Sequence, residues 1–159
     1  MFTIGDFAVC PGHGVGQICD IEEKKIGNES QTFYIIKLSA NGLKIMVPVE
    51  NKVAIRKLAN ENEISTVFTL LSDHAVEVDT STWNRRYREY MEKIKTGSLI
   101  EIADVLRSLF LLKDRKGLSF GERKMLNHCK ELLVQEISLS KGNEKHVVSN
   151  QIEACFHTL

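Results

Sequence analysis

Trp83 is the only tryptophan in the chain, and Arg85 and Arg86 follow it at once in the run Trp83-Asn84-Arg85-Arg86-Tyr87. An indole beside two guanidiniums suits one kind of chemistry, in which an apolar wedge enters a base step while neighbouring cations hold phosphates. At helical spacing Trp83, Tyr87, Tyr90, Met91 and Ile94 form one apolar stripe, with Arg85, Arg86, Glu89, Glu92 and Lys93 around the rest. The same stripe could equally bury the tryptophan in a core, where large aromatics usually sit. A first-turn position lets a side chain project past the packed face, but spacing alone leaves both readings open.

Two other groups of residues could carry chemistry. Pro11-Gly12-His13-Gly14-Val15-Gly16 has the glycine content of a phosphate cradle, yet such a loop needs a helix after it, and Gln17-Ile18-Cys19-Asp20-Ile21 reads as another strand. A glycine corner, where a small barrel reverses direction, is the expectation. Cys10, His13 and Cys19 could supply three zinc ligands, but no fourth ligand and no paired spacing accompany them. The cysteines Cys10, Cys19, Cys129 and Cys155 form no C-x-x-C pair and read as reduced thiols. The five histidines are scattered, and no G-x-S-x-G or H-E-x-x-H occurs. Neither catalysis, a metal nor a cofactor is expected.

The elements that would position Trp83 divide into two classes. Up to about residue 57 the pattern is that of short strands: Phe2 to Val9, Gln17 to Glu22, Thr32 to Leu38 and Leu43 to Val47, the last ended by Pro48. Turns are signalled at Ile26-Gly27-Asn28-Glu29 and at Asn41-Gly42, the latter suiting a type I′ hairpin. From Asn60 the period becomes helical. Ile64, Val67, Phe68 and Leu71 share one face, and Ser81 or Thr82 could cap the helix that Trp83 opens and Gly97 ends. Ser98-x-x-Glu101 and Ser119-x-x-Glu122 are capping-box patterns, with Gly117 closing the helix between them. Met125, Leu126, Cys129, Leu132, Leu133 and Ile137 line the next helix, and a last amphipathic segment spans about Lys145 to Phe156. The expected fold is α+β, a small SH3- or Tudor-like β-barrel over 1–58 joined to a compact helical bundle over 61–159.

Charge supports a division of labour. The whole chain is neutral, which argues against strong binding to free duplex. Asn84 to Lys124, however, carries eleven basic and six acidic side chains. The absence of a run of about 18 apolar residues, and of a signal-peptide pattern at the amino terminus, leads to the expectation of a cytoplasmic protein without a membrane partner.

Several motifs in one order then resemble a known family. Trp83-Asn84-Arg85-Arg86-Tyr87, Lys95-Thr96-Gly97, Glu101-Ile102-Ala103-Asp104-Val105-Leu106-Arg107 and Leu118-Ser119-Phe120-Gly121-Glu122-Arg123-Lys124-Met125-Leu126 are similar to the CarD-like bacterial transcription regulators, most of all the short CdnL type. Gly5-Asp6, Pro11-Gly12-His13-Gly14 and Met46-Val47-Pro48 extend the resemblance over nearly the whole chain. It implies a non-enzymatic regulator whose Tudor-like module binds the RNA polymerase β subunit; a monomer is the expectation, though nothing in the sequence sets the oligomeric state. The helical domain would meet promoter DNA at the upstream edge of the bubble and stabilise the open complex, notably at ribosomal RNA promoters. By the same resemblance Trp83 is the minor-groove wedge, Arg85 and Arg86 are phosphate contacts, and Met91, Phe120 and Lys124 belong to the same surface. Met46 and Pro48 fall at the polymerase contact, with Tyr34 and Ile36 on the adjacent strand. Some branches carry arginine where Met46 stands, so this contact is expected to be more apolar. The competing expectation is a protein–protein adaptor without DNA contact, its tryptophan sealed in the core.

Overall fold

The computed structural model describes residues Met1 to His157; Thr158 and Leu159, the last two positions of the expected helical domain, lie outside the described residues. Contacts within the chain separate a β unit, Met1 to Leu58, from a helical unit that begins at Ala59.

The β unit is a four-stranded antiparallel sheet in the order β1-β2-β3-β4, built from Phe7–Cys10, Gly14–Ile26, Glu29–Leu38 and Lys44–Pro48. After β4 the chain returns to the far edge, where Val9 and Arg56 exchange backbone hydrogen bonds of 2.8 and 3.0 Å and curl the sheet into a half-barrel. Ala8, Cys10, Ile18, Tyr34, Ile36, Leu38, Val47 and Ile55 fill its core. The glycine-rich run is a hairpin: Cys10 pairs with Gly14, and Gly12 and Gly14 adopt φ of 82° and 84°, which side chains disfavour. Gly16 is fixed for a different reason, since a Cβ there would lie 2.4 Å from Ile36 Cγ2.

Two turn details differ from the sequence pattern. Gly42 has a φ of 72°, but among the described residues none other than glycine has positive φ, so Asn41-Gly42 is not a type I′ turn. Asn41 instead accepts the Leu43 N–H on its Oδ1 at 3.0 Å, an Asx arrangement in a longer connection. The tight turn is at Gly27-Asn28, between β2 and β3. These two strands remain paired out to Ile26 and Glu29, well past the last β3 residue that β4 covers, Phe33. The Thr32 carbonyl still accepts the Val49 N–H at 3.0 Å, and from Lys24 to Gln31 the sheet is a two-stranded ribbon whose side chains are almost all exposed.

The helical unit consists of α1 (Glu61–Ser72), α2 (Trp83–Lys95), α3 (Leu99–Lys116), α4 (Phe120–Lys141) and α5 (Lys145–Ala154). Its core gathers Ile64, Val67 and Leu71 of α1, Tyr90 and Ile94 of α2, and the buried faces of α3, α4 and α5, with Leu106, Leu109, Leu133 and Ile137 fully enclosed. Removing so many branched side chains from water is the main force holding the unit together. Asn60 and Glu63 close a full capping box on α1. Just before it, the Ala59 N–H donates to the buried Glu136 carboxylate at 2.7 Å and the Ser140 hydroxyl donates to the Ala59 carbonyl at 2.5 Å, tying the start of the unit to α4. Among the described residues no helix is long and apolar enough to cross a membrane.

Candidate functional site

The first turns of α2 and α4 meet around Trp83. The indole is partly buried: it packs against the helical core, yet its face of α2 also carries Tyr87, which is 46% exposed. Ring centroids of Trp83 and Tyr87 lie 5.6 Å apart at 69°, an edge-to-face arrangement, and Tyr90 sits behind at 6.3 Å. Phe120, the first residue of α4 and the neighbour of Gly121, is 76% exposed, and Met91 is partly buried. A phenyl ring left that open gains little from the core. Trp83 thus lies between the two sequence expectations, one edge packed and the remainder available.

The packed edge has a specific floor. A Cβ built on Gly121 would lie 3.2 Å from Trp83 Nε1 and 3.6 Å from Cε2, closer than side chains ordinarily approach. Only glycine lets the indole settle on the α4 backbone without displacement.

Arg86 departs from the expected role. It is 2% exposed, so it does not present its charge to solvent or to a phosphate. Its Nε–H donates to the Ser81 carbonyl at 2.9 Å, its Nη1–H donates to Glu122 Oε2 at 2.9 Å, and its guanidinium carbon lies 5.2 Å from the centre of the Trp83 ring. Glu122 is equally committed: its Oε1 accepts the Ser119 N–H at 3.0 Å while the Glu122 N–H donates to Ser119 Oγ at 3.3 Å, the full capping box of α4. Burial pushes the Glu122 carboxyl upward, but the Ser119 N–H and hydroxyl and the Arg86 guanidinium outweigh it, holding the group below the usual carboxylate range. Burial also raises the Tyr90 phenol, against the opposing pull of Arg86.

Of the expected contact cations, Arg85, loosely paired with Glu89 at 3.7 Å, and Lys124 are exposed. Sequence reasoning counted but did not single out Arg115 and Lys116, in the last turn of α3, and Arg123, in the first turns of α4; all three are exposed. The three-residue connection from α3 to α4 was the available signal, because it brings these cations to the end of the unit where Phe120 stands. Elsewhere in the same stretch charge is used internally: Asp104 bonds both Lys93 and Arg107, the latter at 2.7 Å.

In the β unit the four expected contact residues separate into two pairs. Met46 is 44% exposed and Pro48 is half-buried, both on β4, which pairs with β3 on one side only. Tyr34 and Ile36 are instead core residues, 4% and 0% exposed, because alternation along β3 turns both inward. They are corrected to structural roles. Tyr34 also accepts the Phe2 N–H on its hydroxyl at 3.2 Å. The Met46 sulfur accepts a bond from Lys24 Nζ at 3.7 Å, so this edge combines apolar surface with a cation. The glycine corner is followed by a strand, Cys10 is buried and Cys19 exposed, and among the described residues no group of three or more His, Cys, Asp or Glu side chains is placed to hold a metal.

Comparison with known proteins covers both units. Residues 2–59 match the CarD-like/TRCF RID domain, and residues 66–153 match the CarD C-terminal domain. The chain is also 34% identical over 155 residues to the Bacillus subtilis (strain 168) protein named "Putative transcription factor YdeB", an alignment spanning 94% of this chain and 99% of that protein.

Proposed function

Because the chain belongs to the CarD family of transcription factors, we propose that it binds the RNA polymerase β subunit through its β unit and steadies melted promoter DNA with its helical unit. The observation that carries this reading is a partly exposed indole beside Tyr87 and against Gly121, in the α4 turn that also carries a 76% exposed Phe120 and the exposed Arg123 and Lys124, with Arg85 exposed on α2. Such a surface resembles neither a core nor an ordinary solvated face. It has the composition of an unstacking wedge with flanking phosphate contacts.

On the β unit, the outer side of β4 carries backbone donors and acceptors with no strand beside them among the described residues, together with the exposed Met46. An extended segment of the polymerase β subunit adds there as a further strand, with Met46 and Pro48 setting the side-chain fit. The neutral chain needs this attachment. Binding to polymerase raises its local concentration at the promoter to about the millimolar range, so a few phosphate contacts suffice. Trp83 then acts at the upstream edge of the bubble, slowing its collapse without reading a base sequence, and ribosomal RNA promoters are the natural test sites.

The test is Trp83→Ala in the full chain. Polymerase binding is expected to persist while the lifetime of the promoter open complex shortens. An unchanged lifetime removes the wedge role and leaves the protein–protein adaptor as the function of the helical face. Met46→Glu tests the other half, and is expected to abolish co-purification with polymerase.

A further inference from the structure

We infer that Arg86 is a positioning residue, which locks the Trp83 indole to the first turn of α4 by stacking on it from a guanidinium fixed by Glu122 and the Ser81 carbonyl. The inference rests on the reading of Trp83 as the side chain that meets DNA, but its evidence lies in the free protein.

Tyr87 and Tyr90 of the same helix flank the Trp83 ring, but the start of that helix is weakly capped. Thr82 occupies the N-cap of α2 without a side-chain hydrogen bond to the first turn, and no acidic residue stands in that turn. A first-turn aromatic on such a helix end would ordinarily sample several rotamers. Further order comes from Arg86 and from α4. Arg86, one turn on from Trp83, has two of its N–H directions fixed by Ser81 and by Glu122, a residue 36 positions away. A planar fork held at two points has its face fixed as well, and the centre of the indole ring lies 5.2 Å from that guanidinium. Gly121 supplies another constraint, since a Cβ there would press on the Nε1–Cε2 edge of the ring at 3.2 Å.

The three α4 contributors are consecutive with the exposed ring. Phe120 is part of the surface, Gly121 is the floor and Glu122 is the anchor of the latch. One helical turn thus sets both aromatic components, and the wedge arrives at its target already oriented. Preorganisation of this kind lowers the ordering cost of binding. It also explains why a guanidinium next to a DNA-facing residue is buried. A lysine could satisfy the Glu122 charge but could not bond Ser81 and stack at once.

The experiment uses the full chain and its single tryptophan, so emission reports one ring. Three variants are compared with the native protein after circular dichroism has verified folding: Arg86→Lys, which keeps the charge; Gly121→Ala, which pushes the floor upward; and Arg86→Met with Glu122→Gln. The last removes both ends of the ion pair while keeping a residue able to complete the α4 box. Loss of the stack in Arg86→Lys is expected to lower the ratio of seated to unseated indole about fivefold, read as lower emission anisotropy and faster acrylamide quenching. Gly121→Ala, with the latch intact, is expected to shift the emission in its own right. Binding of the paired variant to a duplex is expected to retain the native dependence on salt. Unchanged anisotropy and quenching in folded Arg86→Lys and paired variants would overturn the inference. So would a salt slope reduced by about one in the paired variant, the mark of a lost phosphate contact. Failure of the wedge reading is separate, being decided by the open-complex lifetime of Trp83→Ala.

Discussion

The first turns of α2 and α4 face each other and are built in opposite ways. α4 begins with a complete local device, the reciprocal Ser119–Glu122 box, and would start at Phe120 on its own chemistry. α2 begins at Trp83 with a cap residue that makes no side-chain bond, and its first-turn order depends on a guanidinium reaching into the α4 box. The supported end carries the exposed Phe120, and the dependent end carries the partly packed Trp83. A helix start that borrows its rigidity from a neighbour is coupled to it, so a change at Glu122 is transmitted to Trp83 without touching it.

The largest test of that asymmetry is Glu122→Ala, which leaves Arg86 buried without its counter-charge and removes half of the α4 box. A loss of about 3–5 kcal/mol in a denaturant titration is expected, as for other broken buried pairs. A loss under about 1 kcal/mol would mean that Arg86 escapes to solvent and the coupling is weak. Acid supplies a second test. Because the Glu122 carboxyl titrates below its ordinary value in the fold, its stabilising contribution is present above the unfolded pKa and is lost as pH falls through the folded one. Asp104, which burial pushes upward but Lys93 and Arg107 hold low, adds a loss of the same sign in the same acid range. Relative to native protein, Glu122→Ala is therefore expected to lose less stability on acidification, and equal acid sensitivity would assign the effect to Asp104 and the other carboxylates. The smallest pair sharpens the contrast between the caps themselves. Ser119→Ala is expected to lower stability by about 1 kcal/mol, the usual worth of a hydroxyl cap. Thr82→Ala is expected to stay within about 0.5 kcal/mol, because no cap bond is removed. Equal losses would erase the distinction.

How far this site could be read from the sequence follows from the range of the interactions. Ser119-x-x-Glu122 is a local pattern and formed as a full box, whereas Ser98-x-x-Glu101 formed only its first half, the Glu101 N–H donating to Ser98 Oγ at 3.3 Å. The expected Ser81 or Thr82 cap did not form a side-chain bond, because helix position follows from i,i+3 and i,i+4 patterning while a hydroxyl's partner depends on local rotamers. Helix faces were legible: Met125, Leu126, Cys129, Leu133 and Ile137 are buried, with Leu132 at the margin. The burial of Arg86 was not, since nothing within α2 announces that a carboxylate from α4 will meet it. Nothing in the local pattern around Gly121 requires a glycine, and only the approach of the indole gives it a role. On β3, period-two alternation placed Tyr34 and Ile36 on the same face, but the direction of that face depends on how the half-barrel closes through Val9 and Arg56.

The ribbon formed by the far ends of β2 and β3 has a consequence of its own. Each hydrogen bond there is shielded by one neighbour and little apolar cover, so it contributes little to the cooperative unfolding unit. Amide exchange is expected to grade along the strands, fast around Gly27 and slow at Ile36. A protease presented with the intact fold would cut first near that tip. It is likewise the place where an epitope or a fluorescent tag could be grafted while the half-barrel beneath stays folded.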